Sequence, residues 1–288
     1  MKKQIIFTAG GHRSEVAGNA IYHLMPNQHT HHVGHFVFLD YIPPFVRKDK
    51  MIPNVGFAHP HRGIATLTYV LNGEAEHYDS RGHRATVYSG GVQWMKAGNG
   101  IIHDETMNAD TKTTSPLNHG FQFWINLPAK NKKENPDYMA VQANELPLLW
   151  LDNNSGWLKV IVGEYDGQKS KIPTYAKQYL YQIRLKAGKQ FTLPTEKGLE
   201  YAIFLPLQDA TINDKVYEAG NLIGFDKEDG IIEVINNLDA DADIILFGGE
   251  KYTEPFVAYG PFVMSTQEEI HEAYEDFQNG KYGKVVYS

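Results

Sequence analysis

Two short clusters bring together residue types that bind first-row transition metals: His59-Pro60-His61 and His103-Asp104-Glu105. In each, the outer residues are spaced i, i+2. On a β-strand that spacing puts both side chains on one face, about 6–7 Å apart along the chain, whereas on a helix they diverge by roughly 200°. Three imidazoles and one carboxylate converging inside a β-barrel would form an all-nitrogen-and-oxygen donor set. Such a set suits Fe, Mn, Ni, Cu or Zn and disfavours Ca or Mg. Four protein ligands leave two positions of an octahedral metal open, enough for an oxidisable ligand plus dioxygen or water. A divalent ion with one carboxylate keeps a net positive core, which favours an anionic substrate oxygen.

These residues need strands to position them, and the surrounding sequence supplies strand signals. Ile64 to Leu71 is rich in β-branched and aromatic residues and runs into Asn72-Gly73, which reads as a hairpin turn. Further short strands are expected at Glu74 to Tyr78, Ala85 to Tyr88, Val92 to Met95 and Phe121 to Leu127, with glycine-rich turns between them. That rhythm predicts a small antiparallel barrel, closed off by a polar linker from Ala129 to Asp137. A second strand-rich half follows, with strands at Trp157 to Val162, Tyr179 to Leu185, Gln190 to Leu193, Glu200 to Leu205, Ala210 to Ile212, Ile231 to Ile235 and Ile244 to Phe247. The expected domains are therefore residues 1–130 and 138–288. Near the end, Ser265 with Glu268 reads as a helix capping box, Ile270, Ala273, Tyr274 and Phe277 form an apolar stripe, and Asn279-Gly280 stops the helix.

Composition narrows the function. With 288 residues, 42% hydrophobic and 21% charged, the chain is a folded protein of two ordinary domains. A formal charge of −7 argues against direct nucleic-acid binding, and Lys130-Asn131-Lys132-Lys133, the densest basic run, reads as a solvated loop. No cysteine is present, which excludes disulfides, thiolate metal sites and a cysteine nucleophile. The apolar run after Met1-Lys2-Lys3 ends at Gly10-Gly11, too short for a signal peptide, and no stretch is long enough to span a membrane. A cytoplasmic location is expected. His29, His31, His32 and His35 lack strand signal and a nearby carboxylate, and are read as loop and strand-edge residues. His77, His83 and His119 are read as hydrogen-bonded or exposed. Candidate apolar walls for the metal pocket are Phe57, Trp94, Met95, Phe121 and Phe123, of which strand alternation allows only some to face inward.

The runs His59 to Glu74 and Val92 to Glu105 strongly resemble the pirin family of the cupin superfamily, as do Gln122 to Pro128 and Gly260-Pro261-Phe262-Val263-Met264. The resemblance spans nearly the whole chain. It implies an all-β fold of two cupin barrels (double-stranded β-helix, or jelly-roll) with a C-terminal α-helix. It also implies one mononuclear metal, most often iron, in the N-terminal barrel. The family's ligands fall on His59, His61, His103 and Glu105. From Ser155 onward the only histidine is His271, so the C-terminal barrel carries no equivalent set. The family commonly has a glutamate where this chain has Ala65, a departure that bears on pocket hydration and proton chemistry.

Some members of the family cleave flavonols such as quercetin with dioxygen, and others act as iron-dependent co-regulators. The expected function is thus an Fe(II)-dependent dioxygenase of flavonol or polyphenol substrates, with Glu105 as general base and a small aromatic substrate and dioxygen as partners. Zn, Mn, Ni, Cu or Co remain open as the metal. The alternative is a metal- or redox-dependent protein-interaction regulator without turnover, which requires a protein partner; a Zn-type cupin isomerase is a third reading.

Overall fold

The computed structural model describes residues 1–16, 18–47, 49–54 and 56–287. Among these the protein is all-β, with a single α-helix and three short 3-10 turns. It divides into two compact units that interleave along the chain. The first unit comprises Val16–Ala20, Ile42–Glu145 and Thr253–Ser288, and the second unit Met1–Glu15, Ile21–Tyr41 and Leu146–Tyr252. This differs from the contiguous division at 130 and 138 expected from the linker composition. Backbone pairing explains the N-terminal exchange: Ile5–Gly10 lies antiparallel to Asn221–Phe225. No helix among the described residues is long and apolar enough to cross a membrane.

In the first unit the strands include β1 (His59–His61), β2 (Ile64–Asn72), β3 (Glu74–Asp79), β4 (Arg84–Tyr88), β5 (Val92–Lys96), β6 (Ile101–Asn108), β7 (Leu117–Asn126) and β8 (Asp137–Val141). One sheet has the order β1-β6-β3-β4, and in another β8, β5, β2 and β7 lie side by side. The Asn72-Gly73 turn therefore does not make a hairpin. It carries the chain from one sheet to the other, because β2 pairs with β5 and β7 while β3 pairs with β4 and β6. Positive φ at Gly73 fixes the bend, but burial decides which strands meet.

The expected linker is also structured. Ala129–Asn131 forms a 3-10 turn and β8 pairs with β5. Lys132, read as solvated, is 1% exposed. Its ammonium donates to the carbonyls of Gly63 and Val263, both at 2.8 Å, and to Asn126 Oδ1. Burial lowers its pKa to about 7, against the opposing pull of Glu269 and Glu254. Three oxygens replace the water a buried ammonium loses.

The α-helix, α1 (Gln267–Gln278), belongs to this unit and begins one residue later than expected. Thr266 is the N-cap, accepting from the Glu269 N–H at 3.2 Å, while Ser265 N–H donates to Glu269 Oε2 at 3.0 Å. The Thr266/Glu269 register is the one that buries Ile270 and Ala273 against Phe262, Met264 and Tyr282.

The second unit repeats the two-sheet plan. A seven-stranded sheet includes β9 (Gly156–Val162), β10 (Gln178–Leu185), β11 (Leu199–Phe204) and β12 (Ala242–Glu250), and a four-stranded sheet is built from Gln190–Thr195, Gly230–Ile235, Ala210–Ile212 and Lys215–Tyr217. Its core is dominated by Leu158, Ile183, Ile203, Ile223, Ile244 and Leu246, all with no exposed surface.

Candidate metal centre

Strand pairing brings the two histidine clusters together. β1 runs antiparallel to β6, with His59 opposite His103 and His61 opposite Ile101. The i, i+2 pair of β1 thus faces the same way as His103, and the ring centroids lie 4.5 Å (His59–His103), 4.8 Å (His59–His61) and 5.1 Å (His61–His103) apart. One nitrogen from each of the three falls within 4.8 Å of the others. His61 and His103 are buried, whereas His59 is exposed and marks the mouth of the site.

Hydrogen bonds fix two of the rings. His59 Nδ1 lies 2.9 Å from the Phe57 carbonyl and His61 Nδ1 lies 3.0 Å from the Pro261 carbonyl. A carbonyl can only accept, so each Nδ1 carries the proton and each Nε2 presents a lone pair. His59 Nε2 and His103 Nε2 are 3.1 Å apart. Burial, reinforced by His59, drives the His61 pKa down to about 3. Burial, then His59, His61 and His77, puts His103 well below the usual range as well. Both therefore stay neutral, the form of imidazole that binds metals. The chemistry of the donor set fits a divalent transition ion. His103 Nδ1 is buried without a protein partner, so the one side-chain hydrogen bond of this ring among the described residues is the contact of its Nε2 with His59 Nε2.

Glu105 stands on the same face of β6 as His103, two residues further on, opposite His77. Its carboxylate is not among the converging ligand atoms; Oε2 accepts a 3.2 Å hydrogen bond from Gln122 Nε2, which also reaches Thr68 Oγ1 at 3.1 Å. Gln122 and Trp124 alternate with Phe121 and Phe123 on β7, so the two phenylalanines face away from the site. Trp124 takes the wall position, its ring 5.1 Å from His61 and nearly perpendicular. Met95 packs with Ile64, Ile101, Trp124 and Tyr138, while Trp94 alternates to the other face. Phe57 is 40% exposed and contributes its carbonyl. Ala65 pairs with Ile125, on the face of β2 opposite Thr66 and Trp124. A carboxylate there would point away from the histidines.

Several further residues surround the site. His77 is buried, its ring 5.5 Å from His103 and stacked on Tyr138 at 4.1 Å. Its Nε2 is 3.1 Å from Asp79 Oδ2, which also takes a 2.8 Å bond from His83. Burial raises the Asp79 pKa, but the bonds from His77 and His83 outweigh it and hold the carboxylate ionised. The Tyr138 hydroxyl is buried with no protein partner, and burial beside Glu105 and Asp79 keeps it protonated. Tyr138 directly follows the stretch read as linker and was read as the start of the second domain, and Pro261 lies two hundred residues from the histidine it orients. Neither carries a local signal. Trp124 and Gln122 were reachable, because alternation along Phe121 to Leu127 offers only two registers. His29, His31 and His32 lie in loop, and the histidine trio above is the one such group among the described residues.

Comparison with known proteins agrees with this fold. The Pirin family description matches residues 17–125, and the Pirin C-terminal cupin domain matches residues 180–283. A Pseudomonas aeruginosa protein provisionally named a quercetin 2,3-dioxygenase is 34% identical over 87% of this chain and 87% of its own length. Pirin-like protein 2 of Arabidopsis thaliana is 34% identical over 84% of this chain and 76% of its own. The crystal structure of a quercetin 2,3-dioxygenase from Acinetobacter baumannii superposes with a TM-score of 0.89, at 29% identity, covering 99% of this chain and all of that one. With its two cupin barrels and its histidine trio in the first, the chain belongs to the pirin family.

Proposed function

We propose that the protein is a mononuclear metal dioxygenase acting on flavonol or related polyphenol substrates, with Fe(II) as its metal. The observation that carries this reading is the convergence of three imidazoles at an open mouth, in a chain whose relatives include proteins named as quercetin dioxygenases. His59, His61 and His103 would hold the ion, with Glu105 beside them on the same strand face. Bound there, the metal supplies Lewis acidity and the one-electron redox capacity that a closed-shell phenol lacks toward dioxygen.

The remaining work belongs to the chain. Glu105 accepts the proton of the substrate hydroxyl at its carboxylate, and Gln122 holds that carboxylate in place. Trp124 and Met95 supply an apolar wall that excludes water from one side of a flat ring. The unpartnered Tyr138 hydroxyl is a donor for a substrate oxygen. Anaerobic addition of quercetin to the iron-loaded protein is expected to shift the flavonol absorption band, with oxygen uptake on aeration. Glu105→Gln should lower turnover by about 10²–10⁴-fold. Absence of oxygen uptake across a panel of flavonols and catechols overturns the reading.

A further inference from the structure

The carbonyls that orient His59 and His61 come from two segments lying outside the β1-β6-β3-β4 sheet. Phe57 ends the loop that precedes β1, and Pro261 lies at the start of the C-terminal segment containing α1 and Tyr287. Both segments are tied to one side chain. Asp104 has no exposed surface, and its Oδ2 accepts from the Asn54 N–H and from the Tyr287 O–H, each at 2.9 Å. Strand alternation turns Asp104 to the face opposite His103 and Glu105, so it is not itself placed to ligate. Opposite Asp104 on β3 is Tyr78, whose ring lies 5.3 Å from that of Tyr287.

Other contacts hold the C-terminal segment near Pro261. Arg62, next to His61, donates from Nη1 to Asp276 at 2.7 Å and from Nη2 to Glu272 at 2.6 Å. Glu272 and Asp276 are one turn apart on α1, so one helix face meets the guanidinium. The Val263 N–H donates to the Arg62 carbonyl at 3.2 Å. These contacts fix the helix. Asp104 joins the loop before β1 to Tyr287.

We propose that Asp104 is a positioning residue for the metal centre. It holds, through Asn54, the loop whose Phe57 carbonyl sets the ring of His59 and, through Tyr287, the far end of the segment whose Pro261 carbonyl sets that of His61. The proposal rests on the assignment of those histidines as ligands. An imidazole whose Nδ1–H keeps its acceptor presents its lone pair in one direction; without that acceptor the ring is free to rotate and the ligand set loosens.

The test is Co(II) binding by the full chain, measured by competition with a chromophoric chelator and by the visible ligand-field spectrum. Asp104→Ala is expected to weaken Co(II) binding by about 10–100-fold and to alter the ligand-field bands. Asp104→Asn retains an acceptor oxygen and should restore both to near wild type. Tyr287→Phe, which removes one link without emptying a buried site, should weaken binding less than Asp104→Ala and is the variant to use if Asp104→Ala does not fold. Wild-type affinity and spectrum in Asp104→Ala and Tyr287→Phe overturn the proposal, as does an Asn variant no better than Ala. If His103→Ala loses Co(II) while the Asp104 variants keep it, only the positioning role falls. If Co(II) binding follows the expected series but no flavonol is oxidised, only the dioxygenase reading falls.

Discussion

Both units set an i, i+2 pair of ring residues on one strand beside a third ring on another, and obtain opposite chemistry from it. In the first, His59 and His61 sit i, i+2 on β1, against His103 on β6. In the second, Tyr179 and Tyr181 sit i, i+2 on β10, with Tyr201 on β11. Tyr179 and Tyr201 both stand opposite Gly248 of β12. A Cβ at Gly248 would come within 2.7 Å of the Tyr179 hydroxyl, so glycine lets the two rings meet across the strand at 5.1 Å. These tyrosines, with Tyr165, line a cleft of about 780 Å³.

Burial makes His61, His103 and the two tyrosines of β10 neutral, but neutrality means different things. It lowers the histidine pKa values, leaving a lone pair that binds metal. It raises those of Tyr179 and Tyr181, leaving hydroxyls that donate to the carbonyls of Glu200 and Glu164. A protonated phenol is a poor ligand. Where the first unit presents ring nitrogens with free lone pairs, these rings of the second present protonated hydroxyls already committed to carbonyls.

The most direct way to break this contrast is to strip one unit at a time. His103→Ala is expected to abolish stable metal binding, read as metal content per chain. Tyr181→Ala should cost roughly 3–5 kcal/mol of stability, as other large aromatic-to-alanine changes do, yet leave metal content unchanged. Metal lost from both variants would mean that the two chemistries are not separable.

A smaller effect tests the turn between β1 and β2. Gly63 has φ +80°, and an added Cβ would lie 2.0 Å from the Val263 carbonyl. Gly63→Ala should destabilise by about 2–4 kcal/mol in denaturant melts. A neutral result would show that the strand carrying His61 is not held as closely as described.

The most gradual effect is in pH dependence, at most about 1.4 kcal/mol per pH unit for each group. His61 has a folded pKa near 3, below its unfolded value of 6.5, so the unfolded metal-free chain takes up the proton first. Its contribution is present above pH 6.5 and is lost as pH falls toward 3. Tyr181 has its folded pKa raised, so its contribution is present below about 10 and is lost as pH rises beyond that. Denaturant midpoints across pH should show both slopes, with Tyr181→Phe flattening only the alkaline one. An acid slope flattened by the same change would refute the division.

How far these features could be read in advance depends on how local their causes are. The i, i+2 histidines were legible because strand alternation follows from backbone geometry alone. The strands of the second half were legible for the same reason, Ala210–Ile212 to the residue. Asn72-Gly73 was legible as a bend but not as a sheet crossing, since a dipeptide fixes φ and not the partner strand. Lys132 was misread because charge shows the cost of burial but not the three oxygens that offset it. The Pro261 carbonyl and the Tyr138 hydroxyl act from positions far from the histidines in sequence, where no spacing rule connects them.

The exchange of chain ends between the units has a consequence for biosynthesis. The acceptor that fixes His61 is translated two hundred residues after it, and α1, which meets Arg62, later still. A nascent chain that has finished β1 to β8 has all its histidine donors but not the segment that aims His61. Completion of the candidate site is thereby deferred until the segment beginning at Pro261 has been made, and the long loops to be closed make that docking step slow compared with local strand pairing.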